Sequence, residues 1–97
     1  TGVASDITDL LSKSTKNVVE IGPGMGVLTQ FLITNDYTTQ VVEIDTESVF
    51  YLRLNYPNLN IYEGDFLQLN LKEKYPFNFS LIGNLFVYNF LLLKCLS

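Results

Sequence analysis

The stretch VVEIGPGMG, residues 18–26, decides the fold of this 97-residue chain. A short apolar run leads into a glycine-rich turn, and a helical pattern follows at once with four apolar residues on one side: Val27, Leu28, Phe31 and Leu32. Glycine has no Cβ atom, so the backbone of such a turn can bend tightly and approach a ligand closely. The next helix directs its free N–H groups and the positive end of its dipole to the same place. A strand, a glycine turn and a helix in this order predict a binding motif of the nucleotide-binding type.

The spacing of the glycines distinguishes between the different glycine-rich binding motifs. Gly22, Gly24 and Gly26 give G-x-G-x-G, and Glu20 lies two positions before the first of them. The dinucleotide fingerprint is G-x-G-x-x-G, so a nicotinamide dehydrogenase would need its third glycine one residue later. The chain contains no G-K-[ST], which excludes a phosphate-binding P-loop. A glycine turn that binds nothing is the simplest alternative, because short glycine motifs also arise by chance.

Length and composition limit the classes of protein to be considered. Ninety-seven residues suffice for one domain, and 47% of them are apolar. A domain of this size buries only about two-thirds of its unfolded surface, which predicts marginal stability. The formal net charge of −4 argues against this segment being the main nucleic-acid surface, because such surfaces are normally basic.

The cysteine and the apolar runs bear on location and on metals. Cys95 is the single cysteine, which excludes an internal disulfide and a cysteine-based zinc site and fits the reducing cytoplasm. The chain also lacks histidine, and we expect no metal. No signal peptide is visible, and the apolar run at residues 81–93 is too short to span a bilayer, so no membrane association is expected.

Alternating patterns along the chain predict an α/β fold. Strands are expected at residues 17–21, 40–44, 59–62 and 79–83. Helices are expected from Ser5 or Asp6, at 26–33, at 46–56 with Thr46 as N-cap, and at 86–96. Residues 63–76 are expected to be irregular. Strands that alternate with helices predict right-handed βαβ units and a parallel sheet flanked by helices.

Only about four strands are expected, so the sheet is predicted to be incomplete. Strand four would then have an unpaired edge, through which copies of the chain could self-associate. Ligands of such sheets bind beyond the carboxyl ends of the strands. The residues directly after each strand are therefore the candidates for a site.

The second strand ends at an acidic pair. Glu43 lies 17 residues after Gly26. Its carboxylate offers two acceptor oxygens, which suit the two vicinal hydroxyls of a ribose. The alternative is that Glu43 and Asp45 form a solvated acidic turn before the next helix.

The third and fourth strands end in features that suit planar bases. Asp65 could accept a hydrogen bond from an adenine amino group, the backbone N–H of Phe66 could donate to a ring nitrogen, and Ile44 could pack on the ring face. Gly64-Asp65 is also an ordinary turn. Asn84, followed by an aromatic residue, could accept from an exocyclic amine while the aromatic ring stacks on the base.

Four segments, taken in order, resemble successive motifs of the small-subunit ribosomal RNA adenine dimethyltransferase family, which is related to the erythromycin-resistance methylases. They are EIGPGMGVLT (20–29), VEID (42–45), EGDF (63–66) and IGNL (82–85). The first also resembles the E-x-G-x-G-x-G opening of S-adenosylmethionine-dependent methyltransferases in general. The resemblance covers roughly residues 4–85. It implies a Rossmann-like class I methyltransferase fold, of which residues 1–97 would be the N-terminal part.

The resemblance also implies an activity and a set of roles. The activity is methyl transfer from S-adenosylmethionine to the exocyclic amine of adenines in small-subunit ribosomal RNA, with no metal and no general base. The cofactor would be held by Glu20, Gly22, Gly24 and Gly26 at its methionine part, by Glu43 at its ribose, and by Ile44, Asp65 and Phe66 at its adenine. Asn84 and Leu85 would open the catalytic N-[LF]-P-Y motif, where Asn84 receives the target base beside the cofactor.

The motif after Leu85 departs from the family pattern. Phe86 and Val87 occupy the place of a single proline, so that Tyr88 comes one residue late. One extra residue at a helix start rotates the later residues by about 100°, so stacking of Tyr88 on the target base is a hypothesis. The later strands and the basic RNA-binding domain of the family are not in this chain, which is therefore expected to be partial. A non-catalytic fragment and a small-molecule methyltransferase are the alternatives.

Overall fold

The strands and helices follow the alternation expected from the sequence. The computed structural model describes the backbone of residues 16–85 and 90–96 and the side chains of residues 16–83. The helix predicted from Ser5 or Asp6 lies outside these residues, as does Tyr88. The elements are β1 (Asn17–Ile21), α1 (Val27–Thr34), β2 (Thr38–Glu43), α2 (Thr46–Asn55), β3 (Asn60–Glu63), a 3-10 turn (Phe66–Gln68), α3 (Leu71–Lys74), β4 (Phe79–Leu85) and β5 (Phe90–Leu96).

The strands form one five-stranded sheet in the order β3-β2-β1-β4-β5. The first four strands are parallel, and β5 runs antiparallel to β4. Ile21 lies beside Val42 on one side and beside Gly83 on the other, so the strands end at a common edge. The chain passes from β1 outward to β2 and β3 and then returns to the other side of β1. This reversal places a topological switch point at the end of β1, which is where ligands of open α/β sheets bind. The predicted α/β fold with four parallel strands is confirmed.

The helix predicted for residues 86–96 is wrong, because Phe90–Leu96 is a strand. It pairs with β4 along its whole length, from Phe79 opposite Leu96 to Leu85 opposite Phe90. The sequence FLLLKCL is an almost continuous apolar run, and periodicity cannot distinguish a buried strand from a helix in such a run. The predicted unpaired edge of strand four is wrong for the same reason, since β5 covers it.

The capping of the second helix also differs from the prediction. Asp45, not Thr46, is the N-cap of α2, and its Oδ2 atom accepts a 2.9 Å hydrogen bond from the Ser48 N–H. The Thr46 hydroxyl instead donates to Glu63 at 3.2 Å. Aspartate is among the strongest N-cap residues because its oxygen satisfies a free N–H of the first turn. The stretch predicted as irregular contains two short helical turns, each capped in the same way by Asp65 or Asn70.

Two apolar clusters bury the two faces of the sheet. Alternate residues of β1 divide between them, so Val18 packs with Leu32 of α1 on one face and Val19 packs with Phe79 and Tyr75 on the other. The second cluster includes edge-to-face contacts, with the Tyr75 and Phe79 ring centroids 5.9 Å apart. A sheet buried on both faces holds the carboxyl ends of its strands in fixed positions.

Three of the four apolar residues predicted on one side of α1 pack against the core, namely Leu28, Phe31 and Leu32. Val27 is 83% exposed, whereas Leu32 and Thr29 are completely buried. Successive helical residues are about 100° apart, which places Val27 nearly opposite the face centred on Leu32 and Thr29. Val27 therefore lies at the solvent-exposed edge of the predicted apolar side, and Thr29 lies in the core.

Candidate functional site

The glycine turn has the backbone conformation that its sequence requires. Gly22, Gly24 and Gly26 have φ angles of 66°, 58° and 85°, all in the left-handed region that residues with a Cβ atom rarely adopt. Their surroundings differ. A Cβ atom on Gly22 would meet nothing within 4 Å, whereas one on Gly26 would lie 3.0 Å from Leu52 and 3.1 Å from Tyr56 of the α2 segment. Gly22 therefore leaves space at the site, and Gly26 allows close packing of the turn against α2.

Two cavities meet at Gly22, and both lie at the carboxyl ends of the parallel strands. The strand-end cavity, about 280 Å³, is lined by residues 21–22, 42–44 and 64–67. The turn cavity, about 270 Å³, is lined by Glu20 and by residues 22–25, 27 and 28. Ligand pockets commonly have volumes of about 300–1,000 Å³, and the two cavities reach that range only together. An elongated ligand that passes over Gly22 would fit this arrangement.

Glu43 joins the glycine turn to the end of β2. Its Oε1 atom accepts a 2.9 Å hydrogen bond from the Gly24 N–H, and its Oε2 atom accepts a 3.0 Å bond from the Asp45 N–H. The side chain is buried and lines the strand-end cavity. A carboxylate oxygen has two lone pairs, so each oxygen can still accept a hydroxyl. Glu43 is therefore fixed in orientation and can accept two further hydrogen bonds.

Glu20 is buried beneath the glycine turn and is held by a helix residue. The Thr29 hydroxyl donates a hydrogen bond to its Oε1 atom. Burial is the main cause that raises the pKa of Glu20 to about 7, the charge of Glu43 adds to the rise, and the Thr29 hydrogen bond opposes it. Near neutral pH, Glu20 therefore exists in both its neutral and its charged form.

The residues predicted to surround an adenine ring line the strand-end cavity together. Ile44 is 64% exposed at its mouth, and Asp65 and Phe66 are half-buried beside it. One oxygen of Asp65 accepts a 2.9 Å hydrogen bond from the Leu67 N–H, which caps the 3-10 turn. Phe66 packs with the apolar cluster on that face of the sheet. The loop that carries these residues is thus fixed by its own cap and by the core.

The linings of the two cavities are acidic. Among the residues that the structure describes, they contain three carboxyl groups, Glu20, Glu43 and Asp65, and neither lysine nor arginine. A phosphate charge 4 Å from one of these carboxylates would be repelled by about 4 kcal/mol at the effective dielectric constant of a protein surface. In addition, the Gly24 N–H that could bind a phosphate oxygen is already bonded to Glu43. The site therefore suits a ligand with cationic groups and hydroxyls, and it does not suit the pyrophosphate of a dinucleotide.

Asn84 and Leu85 lie within β4, although the sequence predicted that the strand would end at Gly83. Pairing with Leu91 and Phe90 of β5 extends the strand by two residues. Gly83 lies beside Ile21, so the backbone of Asn84 continues at the same edge of the sheet as the glycine turn. The structure does not describe the side chains of Asn84 and Leu85.

A third cavity lies at the opposite end of the sheet. Its volume is about 370 Å³, and it is lined by Thr38 and Thr39 at the start of β2, by residues 56–59, and by Ile33. The described part of its lining has no ionisable group apart from the Tyr56 hydroxyl and none of the candidate site residues predicted from the sequence. No helix in the described part of the chain is long and apolar enough to cross a membrane. The same residues contain no group of three or more His, Cys, Asp or Glu side chains that lie close enough to hold one metal ion.

Thr29 is the site residue that the sequence analysis missed. The signal was Glu20, an acidic residue in a buried strand that needs a hydrogen-bond donor, because Thr29 lies outside the apolar side of the helix that the sequence predicts. Buried hydroxyl and carboxyl groups are nearly always hydrogen-bonded, so two polar residues in one core are expected to pair.

Comparisons with known proteins identify the family and the fold that this chain resembles. The family model for ribosomal RNA adenine dimethylase matches residues 3–89. The ribosomal RNA small subunit methyltransferase A of Cytophaga hutchinsonii is 51% identical over 92 residues, which cover 90% of this chain and 35% of that protein. The protein of the same name from Flavobacterium johnsoniae is 50% identical over 91 residues, which cover 90% of this chain and 34% of that protein.

The chain thus spans about a third of the length of these relatives. Among solved structures, DesVI from Streptomyces venezuelae is similar in fold, with a TM-score of 0.59 and 22% identity over 70% of this chain and 30% of that one. The matched family segment includes both cavities, the glycine turn and the end of β4. The chain belongs to the ribosomal RNA adenine dimethylase family.

Proposed function

We propose that this chain is the N-terminal part of an S-adenosylmethionine-dependent methyltransferase domain that dimethylates adenines of small-subunit ribosomal RNA in the cytoplasm. The observation that carries the proposal is the acidic pair of cavities that meets at Gly22 within a chain of this family. S-adenosylmethionine has a sulfonium group, an ammonium group and one carboxylate, and therefore a net positive charge, together with a ribose that has two free hydroxyls and no phosphate. Its chemistry therefore matches a lining of carboxylates.

The residues present fit the parts of this cofactor. The methionine part, with its two cationic groups and its carboxylate, would lie in the turn cavity against Gly22, Gly24 and Glu20. Glu43, already oriented by two backbone N–H groups, would accept both ribose hydroxyls. The adenine would lie in the strand-end cavity between Ile44 and Asp65, with its ring edge at the Phe66 backbone. When bound, the cofactor supplies a methyl group on a good leaving group.

The role left to the protein is to position the target amine. A base must leave its stack to reach such a site, at a cost of a few kcal/mol. The lone pair of an adenine amine is delocalised into the ring. The Asn84 carbonyl oxygen could accept from this amine and direct its lone pair toward the methyl group. Orientation of this kind can lower a barrier by up to about 7–11 kcal/mol in well-aligned systems.

Ribosomal RNA is proposed as the partner on the basis of family membership alone. The acidic composition gives this chain few groups that could grip phosphates, since it has six basic residues against ten acidic ones. The main RNA-binding surface would then lie outside residues 1–97. Leu85 and Tyr88 would complete the target-base site beside Asn84.

Calorimetric titration of the chain with S-adenosylmethionine, with NAD as the control ligand, tests the proposal. Saturable binding of the first alone would support it. Binding of NAD, or of neither ligand by a chain that circular dichroism shows to be folded, would contradict it. In the second case a non-catalytic folding unit would be the better interpretation.

Replacement of Glu43 is expected to weaken this binding. Glu43→Ala removes the acceptor of the ribose hydroxyls and the bond that fixes the Gly24 backbone, and we expect the binding free energy to fall by about 1–3 kcal/mol. Glu63→Ala is the matched control, because Glu63 lies beside Glu43 at the end of β3 but outside both cavity linings. Equal affinities of the two variants in the same titration would remove Glu43 from the site.

A further inference from the structure

Glu20 and Thr29 form a buried polar pair that spans the glycine turn. Glu20 is in β1, before the turn, and Thr29 is in the first half of α1, after it. Only 2% of Glu20 and none of Thr29 is exposed, and the Thr29 hydroxyl donates to the Glu20 Oε1 atom. The bond therefore connects the two elements that flank the turn, directly beneath the turn cavity that Glu20 lines.

The direction of this hydrogen bond decides what it does. A hydroxyl has one proton, and Thr29 gives it to the Glu20 carboxyl oxygen. Such a bond favours the charged form of the carboxyl group, whereas burial and a neighbouring negative charge favour the neutral form. Glu43 on β2 is the neighbouring charge. The other described elements packed against Glu20, α1 and β4, contain no ionisable residue.

We propose that Thr29 is the positioning residue of the site, which holds the Glu20 carboxylate so that it faces a cationic group of the ligand in the turn cavity. The inference rests on the proposed function, because it takes the methionine part of S-adenosylmethionine as that ligand. Thr29 itself lies beneath the turn, is completely buried, and is not part of either cavity lining. It acts through Glu20 and touches no ligand atom.

The test compares Thr29→Val with Thr29→Ser. Valine keeps the shape and the β-branch of threonine but has no hydroxyl, and serine keeps the hydroxyl. At pH 7 we expect Thr29→Val to weaken S-adenosylmethionine binding about tenfold, which is the size of one lost hydrogen bond to a charged group. Thr29→Ser keeps the hydroxyl and should bind with nearly the wild-type affinity. The ammonium group of the ligand titrates near pH 8 for every variant, so the difference between the variants is the measurement.

A second measurement needs no ligand. The pKa of Glu20 can be followed in the free chain by carbon-13 NMR of its carboxyl group. Loss of the hydroxyl in Thr29→Val is expected to raise this pKa above its wild-type value, and Thr29→Ser is expected to leave it near that value. A merely structural role of Thr29 would move stability and leave this titration unchanged.

The outcomes separate the inference from the proposed function. A folded wild-type chain that does not bind S-adenosylmethionine at any pH overturns the proposed function, and with it the ligand that Glu20 is proposed to face. Wild-type binding with equal affinity and equal Glu20 titration in Thr29→Val overturns the role of Thr29 alone. A Glu20→Gln background provides a further check, because Thr29→Val should have no additional effect on binding once the carboxylate is absent.

Discussion

Gly26→Ala is expected to lower the free energy of unfolding of the chain by about 2–5 kcal/mol. The first cause is the backbone, because the φ angle of 85° costs a residue with a Cβ atom about 1–2 kcal/mol. The second is space, because the new methyl group would lie 3.0 Å from Leu52 and 3.1 Å from Tyr56. Overpacking of this kind typically costs about 1–3 kcal/mol. Urea denaturation monitored by circular dichroism measures the sum.

Gly22→Ala is the matched control for this prediction. Gly22 has a similar φ angle of 66°, but a Cβ atom there would meet nothing within 4 Å. Only the backbone cost of about 1–2 kcal/mol applies, so the control should be the more stable variant. Its methyl group would instead enter the space where the two cavities meet and hinder the ligand. Equal loss of stability in the two variants would show that the close packing of the turn against α2 does not add to the cost of the Gly26 substitution.

Raising the pH from 5 to 8 is expected to lower the free energy of unfolding by about 2–3 kcal/mol because of Glu20. The pKa of this carboxyl group is about 7 in the folded chain, above its ordinary value of 4.5. Between these two values the folded state binds one more proton than the unfolded state, so its stability decreases as the pH rises. Each unit of difference corresponds to about 1.4 kcal/mol.

Glu20→Gln separates this effect from all other titrations. The amide keeps the shape of the carboxyl group and does not titrate, so most of the decrease between pH 5 and 8 should disappear. Glu47→Gln, on the exposed first turn of α2, serves as the control and should retain the wild-type slope. Urea midpoints at four or five pH values suffice. An unchanged slope in Glu20→Gln would mean that another group titrates.

The glycine turn and its flanking elements were predictable because local physics determines them. The three glycines at alternate positions all have positive φ angles, a backbone conformation that few other residues adopt. The strand before the turn and the helix after it have ordinary patterns, and β1 was placed at its observed bounds. Position relative to the strand ends then predicted Glu43, Ile44, Asp65 and Phe66, which the structure brings together around one cavity.

The sequence-based predictions fail where tertiary pairing decides the local structure. Phe90–Leu96 is apolar almost throughout, and only the free edge of β4 makes a strand of it. The same pairing extends β4 past Asn84, which no local signal indicates. In α1, Val27 and Thr29 exchange the positions that hydrophobicity alone predicts, because the buried carboxyl group of Glu20 needs a hydrogen-bond donor. This need for a donor arises in β1, so the sequence pattern of α1 alone cannot indicate it.

The bond between Gly24 and Glu43 has a consequence for how the site forms. It connects residues 19 positions apart, one in the turn after β1 and the other at the end of β2. The turn is therefore secured only when β1, α1 and β2 have assembled as a unit. Local openings of a protein occur in such cooperative units. Hydrogen exchange of the single Gly24 amide therefore reports whether the whole unit is closed. Slow exchange indicates an intact site, with or without ligand, and fast exchange indicates a locally unfolded one.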